Sequence, residues 1–146
     1  MPSAVRNRAS SGRDADRRLT PGGEEKLHEI GAGLARIGVS PRHLVSSPLV
    51  RARQTADILA GHLGSPRRDV WQDLSCGVDE VAVSLRVEDL PSDDDVMLVG
   101  HEPDLGELLA YWIAGRTNAF HTRVRTGSVA CVTAGMLPPQ GRAVLE

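Results

Sequence analysis

The most informative stretch of this chain is Ser46-Ser47-Pro48-Leu49-Val50-Arg51-Ala52-Arg53-Gln54-Thr55-Ala56-Asp57. It predicts a short buried strand over His43 to Ser46, followed by a helix that opens at Ser47-Pro48. A second stretch, Leu98-Val99-Gly100-His101-Glu102-Pro103-Asp104-Leu105, has the same strand-to-helix form. The carboxyl ends of strands and the amino ends of helices meet at such turns, where α/β proteins bind ligands.

Each of these turns carries a side chain suited to an anion. Arg51 lies in the first turn of its helix, where the helix dipole opposes a cation unless an anion lies nearby. His101 can donate to a phosphate oxygen or shuttle a proton. Taken singly, each residue has a plain structural or surface interpretation, whereas together they predict a phosphate site. Arg53, two residues after Arg51, is expected to point elsewhere, into solvent.

Helices and buried strands alternate along the rest of the chain. Thr20-Pro21 begins a helix with an N-cap residue and a proline at the first helical position. The continuous apolar run Val96-Met97-Leu98-Val99 is typical of a parallel strand covered on both faces. The other predicted elements are an edge strand at Val70-Trp71, a helix over 78–90, a helix after Pro103 ending at Gly115, and strands over 128–133 and 143–145. This order predicts an α/β layered domain with a largely parallel sheet.

Composition narrows the range of partners. The chain has 146 residues, enough for one domain, and a net charge of −2, which gives no case for binding nucleic acid. The first eighteen residues form a basic, poorly patterned segment, either a solvated start, part of an anion site or a nucleic-acid arm. Cys76 and Cys131 fit neither a zinc site nor a disulfide framework, which favours the cytoplasm. No apolar run is long enough to cross a membrane, so no membrane partner is expected.

Carboxylates near His101 raise the idea of a metal site. Glu102, Asp104 and Glu107 lie within six residues of it. Adjacent His and Glu do not share one helical face, however, and no His-Glu-x-x-His motif is present. We therefore expect no metal and no cofactor.

Two of these stretches resemble the signatures of a known family. Ser47 to Ala56 is similar to the second signature of the histidine phosphatase (phosphoglycerate-mutase-like) superfamily, and Val99-Gly100-His101-Glu102-Pro103 is similar to its late Gly-His-Glu signature. The spacing, the short length and Leu19-Thr20-Pro21-Gly22-Gly23-Glu24-Glu25-Lys26 resemble the SixA-type phosphohistidine phosphatases most closely. The similarity runs from about residue 18 to about residue 135. It implies a three-layer domain whose central, mostly parallel sheet is flanked by helices.

The resemblance also implies a mechanism. Members of the family use an Arg-His-Gly motif at the end of the first strand, and its histidine becomes phosphorylated. The arginine of that motif, the second-signature arginine and the Gly-His-Glu histidine hold the phosphoryl group, and the last two correspond to Arg51 and His101. Fixed cations around the phosphoryl oxygens suit this chemistry without a metal. A carboxylate often serves as general acid, and Asp79 and Glu80 lie in the corresponding stretch.

The sequence departs from the family at this first motif. No Arg-His-Gly is present, and the nearest match, Val5-Arg6-Asn7-Arg8-Ala9, has Asn7 in the place of the nucleophile. Arg6 retains the ability to bind phosphate, but an amide cannot form a phosphohistidine. A wrong start or frameshift, a fragment, or a true non-catalytic relative would each explain this. We therefore divide the chain into residues 1–18, a degenerate or miscalled first strand, and residues 19–146, a histidine-phosphatase-like domain whose last strand is cut short.

Three functions follow from these observations. The first is a SixA-type phosphatase that hydrolyses phosphohistidine on a protein, for which a histidine-containing phosphotransfer protein in signal transduction is a candidate substrate. The second is a phosphate-binding pseudoenzyme, which Asn7 favours. The third is a small-molecule phosphomonoesterase on the same scaffold, which the short chain between Arg51 and His101 disfavours because it leaves little room for a lid.

Overall fold

The computed structural model describes residues 12–135 and 139–146. Its helices are α1 (Gly12–Ala15), α2 (Pro21–Arg36), α3 (Val50–His62), α4 (Glu80–Glu88) and α5 (Asp104–Ala114). Its strands are β1 (His43–Ser46), β2 (Arg67–Val70), β3 (Val96–Val99), β4 (Val132–Ala134) and β5 (Ala143–Leu145). The predicted positions of β1, β3 and β5 are confirmed, and α2 begins at the predicted proline.

The helix ends follow local chemistry. The Thr20 hydroxyl accepts the Gly23 N–H at 3.1 Å and so caps α2. Asp79 caps α4 in the same way, since one of its oxygens accepts from Val81 N and Ala82 N. This cap is the reason that α4 begins at Glu80 and not at the predicted Val78. At the other end of α5, Gly115 adopts the left-handed conformation with φ of 78° and ends the helix where predicted.

A parallel sheet lies at the centre of the molecule, in the order β2-β1-β3. Strand β1 pairs in parallel with both neighbours, with Ser46 opposite Val70 on one side and Val99 on the other. All four residues of β2 are exposed, as an edge strand allows, and this strand ends at Val70, one residue before the predicted Trp71. The carboxyl ends of β1 and β3 therefore lie side by side.

Helices cover both faces of this sheet and create two cores. On one face, Leu44 packs with Ala56, Leu59 and Leu63 of the α3 region, together with residues of α2. On the other, Val45 packs with Trp71, Leu74, Val83 and Leu108 from the side of α4 and α5. Because successive strand residues point to opposite faces, the neighbours Leu44 and Val45 belong to different cores. The predicted three-layer α/β architecture is thus confirmed.

Several features differ from the expectations. Strands β4 and β5 form a separate antiparallel pair and do not extend the parallel sheet. Strand β4 begins at Val132 and not at Ser128, because Gly127 has φ of 78° and the Ser128 hydroxyl closes a turn onto the Arg125 carbonyl. The β3 residues are only half-buried, not fully covered. Residues 12–15, for which no element was predicted, form the short helix α1.

Two sets of predictions remain open at the amino terminus. Arg6 and Asn7 lie outside the described residues. The division of the chain at residue 18 stays a prediction as well. Within the described residues, no helix is long and apolar enough to cross a membrane.

Candidate phosphate site

The site is built where β1 and β3 end. Main-chain pairing continues one residue past the end of β1, since Ser47 N–H donates to the carbonyl of Val99, the last residue of β3, at 2.9 Å. The chain then turns into α3 on one side and α5 on the other. This backbone contact brings the Ser47 and His101 turns together.

A short side-chain hydrogen bond joins the two turns. His101 Nε2 lies 2.7 Å from Ser47 Oγ, and Ser47 is fully buried. The same hydroxyl oxygen accepts the Leu49 N–H at 3.2 Å. Since a buried hydroxyl proton needs an acceptor, the fully satisfied arrangement has Ser47 donating to Nε2 of a neutral imidazole. By this assignment Nδ1 of His101 carries the ring proton and is the nitrogen able to donate to a ligand.

Arg51 occupies the first turn of α3, as predicted. Its side chain is 28% exposed, and its guanidinium contacts Asp14 of α1. Nη1 donates to the Asp14 main-chain carbonyl at 2.9 Å, and Nη2 lies 3.4 Å from a carboxylate oxygen of Asp14. No side chain caps α3, whose N-cap residue is Leu49. Arg51 therefore meets an anionic group in this structure even without a ligand.

Burial and Arg51 together control the charge of His101. Desolvation of the half-buried imidazole lowers its pKa below the ordinary value, and the positive charge of Arg51 lowers it further. The carboxylates of Asp104 and Asp14 act in the opposite direction but more weakly. The imidazole is accordingly neutral at pH 7, in agreement with its hydrogen bond to Ser47. Arg51 therefore influences the protonation of His101 through its charge.

Carboxylates line the α5 side of the site. Asp104 is buried and accepts the Gly77 N–H at 3.0 Å. Burial, together with the charges of Asp104, Glu80 and Glu102, raises the pKa of Glu107. Asp79, one of the two residues in the stretch of the family's general acid, is committed to capping α4. In the described part of the chain, no three His, Cys, Asp or Glu side chains are grouped so that they could hold a metal ion.

Gly100 lies directly after β3, and its backbone does not adopt positive φ. A Cβ at this position would lie 3.1 Å from the Leu105 side chain. The glycine therefore allows α5 to pack close to the end of β3.

The structure brings together Arg51 and His101 and leaves Arg53 exposed. Sequence reasoning missed the parts played by Ser47 and Asp14. The role of Ser47 could have been predicted, because a serine directly after a buried strand can reach the neighbouring strand end. The contact of Asp14 could not, since this residue lies 37 residues from Arg51 in an unpatterned segment.

Two cavities lie away from this site. A cavity of about 270 Å³ lies elsewhere, between α5 and the β4–β5 pair, and is lined by residues such as Leu109, Val124 and Cys131. A second, of about 200 Å³, lies beside Arg53 and Asp57. Neither includes Arg51 or His101.

Comparisons with known proteins identify the family. The sequence model of the histidine phosphatase superfamily (branch 1) matches residues 3–80. An uncharacterized protein of Picosynechococcus sp. (strain ATCC 27264 / PCC 7002 / PR-6) is 35% identical over 133 residues, which are 88% of this chain and 79% of that protein. The chain belongs to the histidine phosphatase superfamily.

Solved structures agree in fold. The protein histidine phosphatase SixA, solved in complex with tungstate, is 26% identical and superposes with a TM-score of 0.77 over 94% of this chain and 85% of its own. A mycobacterial glucosyl-3-phosphoglycerate phosphatase, solved with VO3, is 18% identical, with a TM-score of 0.67 over 90% and 86% of the two chains. The fold is therefore that of the phosphoglycerate-mutase-like proteins, with the SixA-like branch among its structural neighbours.

Proposed function

We propose that this chain recognises phosphohistidine on a protein as a SixA-type phosphatase domain, with Arg51 and His101 holding the phosphoryl group. The observation that carries the proposal is the meeting of these two side chains at the ends of β1 and β3. A guanidinium supplies paired donors matched to phosphate oxygens, and a neutral imidazole adds a donor at Nδ1. The similarity to a SixA structure that contains tungstate supports the same ligand class.

The short connection between Arg51 and His101 favours a protein-borne phosphoryl group. It forms only the remainder of α3, then β2, a single 3₁₀ turn, α4 and β3. This connection contains no inserted segment long enough to form a lid. Small phosphate esters gain much of their binding energy from enclosure, whereas a protein substrate brings its own surface. This argues against the small-molecule phosphomonoesterase.

Hydrolysis needs a further group that this chain lacks at the expected position. In the family's mechanism the N–P bond of the substrate breaks as an imidazole nitrogen of the enzyme bonds to phosphorus, and water then releases phosphate. Asn7 stands where that imidazole is expected, and an amide is neither basic nor nucleophilic enough. Ser47 does not replace it, because its hydroxyl is fully buried. The chain should therefore still bind a phosphoryl group even though it hydrolyses almost none. A phosphate-binding pseudoenzyme is the second candidate function.

Replacing Arg51 with Ala tests the site. Charge-assisted hydrogen bonds contribute about 1.5–3 kcal/mol, so tungstate affinity should fall at least about tenfold. Isothermal titration with tungstate, alongside thermal melting, makes the measurement. Arg53→Ala is the matched control, because Arg53 is exposed on the same helix and should leave the affinity unchanged. Equal affinities for the Arg51→Ala variant and the unaltered chain would contradict the proposed site.

Turnover separates the two candidate functions. On a phosphohistidine peptide the chain as it stands should release almost no phosphate. The double substitution Asn7→His with Arg8→Gly creates the missing motif after Arg6, and we expect it to restore hydrolysis. Full turnover by the unaltered chain would show that the nucleophile lies elsewhere. Inactivity of both proteins, with tungstate binding retained, would favour the pseudoenzyme.

A further inference from the structure

The carboxylate of Asp14 lies beside Arg51, the cation that the proposed function uses to hold the phosphoryl group. The contact joins α1 to the first turn of α3, across 37 residues of chain. An aspartate at this position has no capping role within the residues of α1 described here. Among the described residues, its carboxylate contacts Arg51.

The two parts of this contact differ in quality. The main-chain carbonyl of Asp14 accepts from Nη1 at 2.9 Å, which is normal hydrogen-bond geometry. The carboxylate lies 3.4 Å from Nη2, longer than the 2.7–2.9 Å typical of a charge-assisted bond, and is 44% exposed. The backbone carbonyl thus holds the guanidinium, while the carboxylate interacts loosely and is free to leave.

The charge of the Asp14 carboxylate also acts on His101, whose pKa it raises, while Arg51 lowers the same pKa. Arg51 contacts Asp14 directly and influences His101 through its charge. Within the described part of the chain, the Asp14 carboxylate offsets the charge of the Arg51 guanidinium and so reduces its attraction for an incoming dianion.

We propose that Asp14 is an internal counter-ion of the phosphate site, whose carboxylate competes with a bound phosphoryl group for Nη2 of Arg51. This inference rests on the proposed function. A phosphoryl group that reaches Nη2 displaces the carboxylate, while Nη1 keeps its main-chain partner. Asp14 thereby weakens the affinity for any oxyanion without altering how Arg51 is placed.

The substitution Asp14→Asn removes the charge and keeps the main-chain carbonyl. We expect tungstate to bind about three- to tenfold more tightly at low ionic strength, with a smaller gain at high salt, as screening predicts. Asp14→Ala should give the same gain, since the charge and not the shape of the side chain matters. The matched control is Asp16→Asn, which changes the net charge equally at an exposed position without contact to Arg51.

Three results would overturn the inference. Unchanged or weaker tungstate binding by Asp14→Asn would do so, and weaker binding would make Asp14 a group that positions Arg51. An equal gain in Asp16→Asn would mean that only the total charge matters. The imidazole titration of His101, followed by NMR without any ligand, should move to lower pH in Asp14→Asn, and an unmoved titration would show that the carboxylate does not face the site.

The same measurements separate this inference from the proposed function. If the unaltered chain binds tungstate through Arg51 and Asp14→Asn binds no more tightly, only the counter-ion is wrong. If neither protein binds tungstate, the proposed function fails and the counter-ion competition fails with it.

Discussion

His101 is half-buried beside Arg51, and both conditions hold its pKa below the ordinary value. Its protonation therefore occurs on the acid side of neutrality. A protonated imidazole adds a positive charge next to Arg51, and a bound anion favours that charged form. The affinity for an anion should rise as the pH falls through this pKa.

Sulfate is a suitable probe of this effect, because it stays a dianion throughout the range. We expect its affinity to increase several-fold between about pH 7.5 and pH 5.5, in line with one added charge at close range. His101→Gln should give a flat profile over the same range. A flat profile in the unaltered chain would show that His101 does not contact the anion.

The lowered pKa of His101 also affects stability. The unfolded chain takes up a proton at this residue at higher pH than the folded chain does. Above the unfolded-state pKa, about 6.5, the contribution of His101 to stability is fully present. This contribution to stability is lost as the pH falls through the pKa of His101 in the folded state.

At the scale of the elements, Gly106 allows α5 to pack closely against the segment that follows it. A Cβ on Gly106 would lie 2.5 Å from the main-chain carbonyl oxygen of Thr122. Backbone cannot move aside as a flexible side chain can. The close approach therefore requires the absence of a side chain.

Gly106→Ala should destabilise the protein by about 1–3 kcal/mol, because overpacking outweighs the better helix propensity of alanine. Denaturation in urea measures the change. Gly33→Ala is the matched control inside α2, where a Cβ would meet nothing within 4 Å. That variant should be more stable, by up to about 1 kcal/mol. A stabilised Gly106→Ala would contradict the described packing of α5.

Local signals explain which elements the sequence could predict. Strand β3 is a continuous apolar run, and Ser47-Pro48 marks the end of β1. Thr20-Pro21 marks the start of α2, and Gly115 marks the end of α5. Helix α1 spans only four residues, too few for a periodic pattern. The pairing of β4 with β5 depends on partners distant in sequence, and it could not be read from either strand alone.

The site likewise combines residues that local patterns predict with contacts between residues distant in sequence. Arg51 and His101 were predicted as site residues because each follows a strand end, which is a local feature, and their positions after β1 and β3 are confirmed. The hydrogen bond between Ser47 and His101 spans 54 residues, and the contact of Asp14 with Arg51 spans 37. Such contacts exist only after the sheet has formed, so no local pattern reports them.

At the scale of the whole molecule, β1 lies between two cores. Leu44 is fully buried on one face and Val45 almost fully on the other. The helix that carries Arg51 packs on the Leu44 face. Loss of packing there should weaken the entire domain and not a single element.

Leu44→Ala should lower the free energy of unfolding by about 2–5 kcal/mol, through lost burial and the cavity left behind. Leu85→Ala removes the same atoms from a position that is 51% exposed on α4, and should change stability by less than about 0.5 kcal/mol. Melting followed by circular dichroism and by tryptophan fluorescence should give one coincident transition for both variants. Separate transitions would indicate that the two cores unfold independently.

The bond from Ser47 N–H to the Val99 carbonyl joins the two turns through the main chain, beside the side-chain bond between Ser47 and His101. Apart from proline at position 47, which would remove the donor, substitutions at these turns leave this bond in place. The geometry of the two turns can therefore persist while their side chains change. The pair of turns is for that reason a favourable frame onto which new side chains could be grafted.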